Sequence, residues 1–294
     1  MQPAELMRNV RRIEIKSRRV ADAMAVGSYR SAFRGSGVEF EETREYAPGD
    51  EVKSIDWKVT ARMGRPYVKV YREERELSVT LAVDVSASGL FGTRGAAMRE
   101  MAVELGAILA VSALKNGDKA GLLLFSDKVE RYIPPRRGAG HVWRLIREML
   151  ECEPGQKGTD IGAAARFLSR VERKRGVTAF LSDFLDTDYL ADLRRLSRRR
   201  DVIAAVLGGP DEMALPEAGI LRARDLETGR TMYFDCSDRR SREAYAAARR
   251  LERGETLAGF AKAGIDCLEL SGQGSAAGAL RAFFAKRGRR RGGR

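Results

Sequence analysis

From Ser78 onward the chain alternates short apolar runs with amphipathic stretches, and that alternation leaves few architectures open to it. The run Ser78–Asp84, with Val79, Leu81 and Val83, reads as a buried strand. Gly95 to Lys115 is an apolar helix stopped by Asn116-Gly117. Ala120–Phe125 and Val129–Ile133 read as strands around a Ser126-Asp127 turn, with Pro134-Pro135 ending the pair. Then follow a helix (His141–Cys152), a loop (Pro154–Thr159), a helix (Asp160–Lys174), a strand (Val177–Leu181), a short helix (Ala191–Arg200) and a strand (Val202–Leu207). Repeated strand–helix units predict an α/β fold with a mostly parallel sheet and helices on both faces. After Gly208-Gly-Pro210 comes a hairpin with arms Ile220–Ala223 and Thr231–Phe234, its turn at Glu227–Arg230. A charged helix (Arg240–Ala263), a strand (Ile265–Leu270) and a helix (Ala276–Lys286) follow, and the basic end reads as disordered.

The first part of the chain has another texture. Residues 5–25 carry Leu6, Val10, Ile13, Val20 and Met24 near helical spacing among Arg and Lys. Such a helix could dock on the body of the protein or lie on an anionic membrane surface; its modest apolar face favours docking. From Gly27 to Glu76, turn signals at Gly35-Ser-Gly37 and Pro48-Gly49-Asp50 separate short alternating runs. They predict a small meander-like β-rich segment with Trp57 as a core anchor. Asp50, Asp56, Trp57 and Arg62 could form a recognition surface, but turn chemistry, core packing and an internal ion pair account for them more cheaply.

A chain of 294 residues with 44% hydrophobic content has room for one large domain and a small companion. Lacking a membrane-length apolar run and a signal-like start, it reads as cytoplasmic. Cys152, Cys236 and Cys267 are scattered singly, which predicts reduced core residues. The net charge of +13 raises nucleic acid, an anionic membrane or an acidic partner. The Arg residues are spread over several helices without interleaved aromatics, so nucleic-acid binding is disfavoured.

Chemistry gathers in three separated pieces: Asp84-x-Ser86-x-Ser88, Gly158-Thr159 and Leu181-Ser-Asp183. Two follow apolar strands and one opens a helix, so a parallel sheet could bring all three to one edge. Capping or turn formation explains Asp and Ser one at a time. Taken together, Asp84, Ser86, Ser88, Thr159 and Asp183 are hard oxygen donors that suit Mg²⁺ or Mn²⁺ rather than zinc or copper. Asp160 reads as a helix cap, and His141, the one histidine, has no partner for a ligand role.

This set resembles the metal-ion-dependent adhesion site of von Willebrand factor A-type domains. The resemblance implies that Ser86, Ser88 and Thr159 ligate directly and that Asp84 and Asp183 act through water. An ion held by neutral hydroxyls stays electrophilic, with a position open to an acidic residue of a protein partner. Phe40–Asp50, Ile55-Asp-Trp57, Thr60-Ala-Arg62 and Tyr71–Glu76 widen the likeness to the bacterial domain-of-unknown-function family fifty-eight. One departure is Gly89, where that family often has Met. The resemblance implies a von Willebrand factor A-like (Rossmann-like) domain over 78–287 with a hairpin insertion near 218–235. Around it would lie an amphipathic helix (1–26), a β-rich family module (27–77) and a disordered tail (288–294). It also implies a MoxR-type AAA+ ATPase as partner, in the assembly or activation of other proteins.

Enzyme readings fare less well. There is no Gly-x-Ser-x-Gly elbow and no Gly-x-x-x-x-Gly-Lys loop. The enzyme alternative is a Mg²⁺-dependent phosphatase with Asp84 as nucleophile, but the expected second carboxylate two residues on is Ser86. The expectation is therefore a non-enzymatic, Mg²⁺-dependent interaction protein, with binding of nucleic acid or an anionic membrane through the basic surface as a further alternative.

Overall fold

The structure, a computed structural model, describes residues 3–23, 38–73, 77–87, 98–152, 158–224, 230–271 and 275–292. Ser88, Gly89, the Gly35–Gly37 turn, loop positions 154–157 and hairpin-turn positions 227–229 lie outside the described residues.

Six strands form the central sheet: β3 (Ser78–Asp84), β4 (Lys119–Phe125), β5 (Val129–Arg136), β6 (Val177–Ser182), β7 (Asp201–Gly208) and β10 (Asp266–Ser271). Their order is β10-β7-β6-β3-β4-β5. Every pairing is parallel except β4 with the edge strand β5. This is a doubly wound, mostly parallel α/β sheet. Continuous apolar sequence in β3, β4, β6 and β7 follows from it, because these strands are covered on both faces.

Period-two alternation divides the core between the faces. On one side Val79, Leu81 and Val83 of β3 pack with Leu105 and Ile108 of α3 (Met98–Lys115) and with Leu145 of α4 (Ala139–Glu151). On the other, Ala82 and Phe180 pack with Leu168 of α5 (Ile161–Val171), Leu193 of α6 (Leu190–Ser197) and Phe260 of α8 (Arg239–Ala263). Truncating a fully buried side chain such as Leu81 to Ala costs about 2–5 kcal/mol.

Helix α1 (Pro3–Ala23) docks on this body. Ala21 joins the core, Lys16 Nζ meets Glu104 Oε2 at 2.6 Å, Lys115 pairs with Asp22, and the Arg18 guanidinium lies 5.3 Å from the Trp143 ring centre. The ion pairs are exposed and contribute little, so buried apolar contact holds the helix.

Residues 38–73 depart from the expected meander. Strands β1 (Val38–Glu45) and β2 (Tyr67–Glu73) pair antiparallel, but a one-turn 3₁₀ segment (Val52–Ser54) and helix α2 (Trp57–Met63) intervene. Asp56 caps α2, accepting from the amides of Lys58 (3.1 Å) and Val59 (3.3 Å). Trp57 therefore occupies the first helical turn and is 68% exposed; it is not a core anchor, and Val68 is buried instead. Asp50 closes its turn by accepting from Ala47 N at 2.8 Å and takes a two-pronged bond from Arg44, both arms at 2.7 Å. That bonding holds the Asp50 carboxyl below its usual range.

Two further expectations are corrected. Pro134-Pro135 does not end β5, which runs on to Arg136, because an edge strand needs no outward N–H there. Opposite it, a Cβ at Gly121 would come within 2.9 Å of the Pro135 nitrogen, so glycine lets the proline in. The basic end is helical as far as Gly292 in α9 (Ala276–Gly292), not a disordered tail from residue 288. Arg287 explains the difference: it is buried and bridges Asp201 and Asp266. Elsewhere a one-turn helix, α7 (Pro210–Met213), follows β7, and β8 (Ile220–Arg224) pairs antiparallel with β9 (Thr231–Asp235).

Candidate metal centre at the carboxyl edge

The strand order reverses between β3 and β6. The chain winds from β3 towards β4 and from β6 towards β7, so their carboxyl ends flank the crevice where open α/β sheets hold ligands. Asp84 ends β3 and Asp183 directly follows β6, which places both carboxylates at this switch point.

Asp84 is 5% exposed. Its Oδ1 accepts from the Ser86 amide at 2.9 Å and its Oδ2 from Ser182 Oγ at 2.6 Å. The Ser86 hydroxyl also hydrogen-bonds to it, and Ser86 is itself buried. Asp183 is buried as well and accepts from the Leu185 amide at 3.1 Å. Between them Ser182 Oγ accepts from the Phe184 amide at 3.1 Å. Phe184 takes the left-handed conformation (φ 58°), uncommon without glycine, and its buried ring against Phe260 (centres 4.9 Å apart) holds it there.

Thr159 lies on the loop that opens α5, half-buried and engaged by a neighbour. This loop is tied to both sides of the crevice: the Asp160 amide donates to Ser126 O at 2.8 Å, and the Ile161 amide to Asp186 Oδ2 at 2.9 Å. Asp160 caps α5 through the Ala163 amide at 2.6 Å, and His141 Nε2 lies 2.9 Å from Ala120 O. The structure therefore gathers Asp84, Ser86 and Asp183 at adjacent strand ends and hydrogen-bonds the Thr159 loop to the Asp183 loop. Ser88 lies outside the described residues.

Burial, and then the Asp183 charge, push the Asp84 carboxyl up to about 6 against the opposing pull of the Ser182 and Ser86 hydrogen bonds. Among the described residues no Lys or Arg forms an ion pair with Asp84 or Asp183. Two buried carboxylates without a counter-cation, beside serine hydroxyls, fit a hard divalent ion by donor chemistry. Among the described residues no group of three or more His, Cys, Asp or Glu could hold a metal, so an ion here would need the hydroxyls.

Sequence reasoning assigned no role to three neighbours. Ser182 stands one register step beyond the Val83–Leu181 pair, beside Asp84, a placement visible only once β3 and β6 are paired. Asp186 bonds the Thr159 loop, and burial raises its carboxyl. Glu212 of α7 is also raised, by burial and then by Asp183. Its signal in the sequence, an acid after Gly-Gly-Pro, is too common to find it by.

The family described as protein of unknown function DUF58 matches residues 42–255. The chain belongs to that family. A relative of this DUF58 chain by sequence, the uncharacterized protein Rv1480 of Mycobacterium tuberculosis, is 32% identical over 256 residues, covering 85% of this chain and 80% of its own. The uncharacterized protein YeaD of Bacillus subtilis is 30% identical over 106 residues, covering 36% of this chain and 24% of its own. Among solved structures, this DUF58 chain is similar to the conserved hypothetical protein BatB from Bacteroides thetaiotaomicron. That match has 15% identity and a TM-score of 0.47, covering 72% of this chain and 99% of the other. At that score the fold assignment rests on the strand order itself.

Proposed function

We propose that this DUF58 protein is a non-enzymatic docking protein that offers a divalent cation, Mg²⁺ or Mn²⁺, to an acidic residue of a partner protein. The observation that carries this reading is the buried Asp84–Asp183 pair without a basic counter-charge among the described residues. Ser86 and Thr159, with Ser88, would hold the ion through hydroxyls, and Asp84 and Asp183 would hold it through water. An ion so bound keeps much of its positive charge and binds a carboxylate offered from outside. The partner implied by the family resemblance is a MoxR-type AAA+ ATPase, with the pair acting in the cytoplasm on a third protein. Among the described residues no helix is long and apolar enough to cross a membrane.

A phosphatase with Asp84 as nucleophile is less well supported. Both Asp84 oxygens already accept hydrogen bonds and the group is 5% exposed, which ill suits in-line attack.

Calorimetric titration with Mg²⁺ tests the ion. The wild type should bind, and Asp84→Ala and Ser86→Ala should each weaken binding; equal binding in all three removes the assignment. Capture of the ATPase should fall in EDTA and return with Mg²⁺, and indifference to EDTA takes the ion out of the interface. Turnover of a phosphate ester that is lost in Asp84→Asn would favour the phosphatase.

A further inference from the structure

The opposite edge of the sheet has the reverse charge. The loop from α5 into β6 carries Arg173 and Lys174, and the turn from α6 into β7 carries Arg198 and Arg199, all exposed. These two segments are neighbours, because Val177 pairs with Asp201 and the Asp201 amide donates to Gly176 O at 2.8 Å. At one end of the edge, α9 brings exposed Arg290 to Asp266 at the start of β10. At the other, β5 finishes with exposed Arg136, paired in register with Ala120 of β4. Basic side chains thus line the amino edge from β10 to β5, a width of roughly 24 Å for six strands.

Among the described residues, the carboxylates at these strand starts are already occupied. Glu172 is buried against Arg200 (2.9 Å), Arg287 takes Asp201 and Asp266, and Asp118 accepts from the Leu77 amide at 3.2 Å. Among the described residues no ion pair engages Arg173, Lys174, Arg198 or Arg199. Part of this charge offsets the carboxyl ends of α5 and α6, which finish here.

The edge is also held in shape. The buried Arg200 guanidinium donates to Lys174 O at 3.0 Å, Val177 O at 2.8 Å, Ser78 O at 3.3 Å and Thr178 Oγ1 at 2.8 Å. One arginine therefore fixes the loop that carries Arg173 and Lys174 against the turn that carries Arg198 and Arg199. The positive charges are presented by a braced framework.

We propose that this amino edge is a docking face for an anionic phospholipid surface. The charges spread along a whole sheet edge, which a plane of phosphates can meet at once. No aromatic residue interrupts the basic segments 170–175, 194–200 and 286–290 to stack on a nucleic-acid base. Guanidinium groups bind phosphate through two parallel hydrogen bonds, and most of these side chains are Arg. In this orientation the Asp84–Asp183 crevice, a strand length of roughly 20 Å away, faces off the membrane and stays open to a protein.

Vesicle flotation of the full chain tests the proposal, with mixed phosphatidylglycerol–phosphatidylcholine vesicles against phosphatidylcholine alone. Binding should require the anionic lipid and fall steeply with salt. The exposed-site variant Arg173→Glu/Lys174→Glu/Arg198→Glu/Arg199→Glu should lose roughly fivefold for each basic residue removed, several hundred-fold or more together. The control Lys128→Glu/Arg240→Glu, far from this edge, should keep most of the wild-type affinity. Failure to bind anionic vesicles, or equal binding by the fourfold variant, overturns the proposal. So does tighter retention of duplex DNA than of vesicles at equal salt, abolished by the same four substitutions, which would reassign the face to nucleic acid.

Discussion

Ser182 Oγ lies 2.6 Å from Asp84 Oδ2, so the last residue of one strand holds the carboxylate that ends its neighbour. The same oxygen takes the Phe184 amide, which couples the position of Asp84 to the turn that carries Asp183. Ser182→Ala removes this bracket without touching a predicted ligand. We expect Mg²⁺ affinity to fall roughly 10- to 100-fold, the usual effect of losing an orienting partner, with the fold intact by circular dichroism. Calorimetric titration that finds wild-type affinity would show that Asp84 does not need the bracket.

Arg200 and Glu172 are 1% and 4% exposed in their side chains and sit 2.9 Å apart. Thr80 and Tyr132 also donate to Glu172, at 2.7 Å and 3.1 Å, so removing Arg200 strands a buried carboxylate in a network built around it. Arg200→Ala should cost about 3–5 kcal/mol of unfolding free energy in urea. A loss under 1 kcal/mol would mean that water replaces the guanidinium.

Gly121→Ala tests how the edge strand accepts its prolines. The new Cβ would stand 2.8 Å from Pro135 Cγ and 2.9 Å from its nitrogen, so strand or ring must shift. We expect destabilisation of about 1–3 kcal/mol in thermal unfolding. Gly140→Ala, with nothing within 4 Å of its Cβ, should be neutral or slightly stabilising.

Burial, and then the neighbouring Glu269, push the Cys267 thiol up to about 12. In the unfolded chain the thiol ionises near its ordinary value, roughly 8.5. The unfolded state therefore loses its proton first, and stability should be level below about pH 8 and fall above it. In native protein at pH 8, alkylation of Cys267 by iodoacetamide should be slower than in denatured protein by orders of magnitude, read by peptide mass spectrometry. Fast native labelling would place the thiol in solvent.

The sheet was legible because β3, β4, β6 and β7 are covered on both faces and so appear as unbroken apolar runs. Asp84, Ser86 and Asp183 stood out because polar oxygens directly follow such runs, where the chain leaves the core. What stayed hidden was decided by partners distant in sequence. Trp57 follows an acid that caps a helix, and its size suggested a core that the short module does not build around it. Pro134 and Pro135 read as terminators because nothing local says that β5 is an edge strand facing a glycine. Ser182 gains its place beside Asp84 from strand register, which local pattern does not encode.

Arg287 joins the first residues of β7 and β10 across a separation of 86 positions from Asp201. A chain emerging from the ribosome presents Asp201, and then Asp266, before the guanidinium that neutralises them. Until then this end of the sheet carries two acids at neighbouring strand starts, a repulsion set against the backbone pairing and the buried Leu268 and Leu270 that hold β10 on β7. Docking of α9 thus relieves that repulsion, and a chain broken off before Arg287 keeps both acids without the guanidinium that neutralises them.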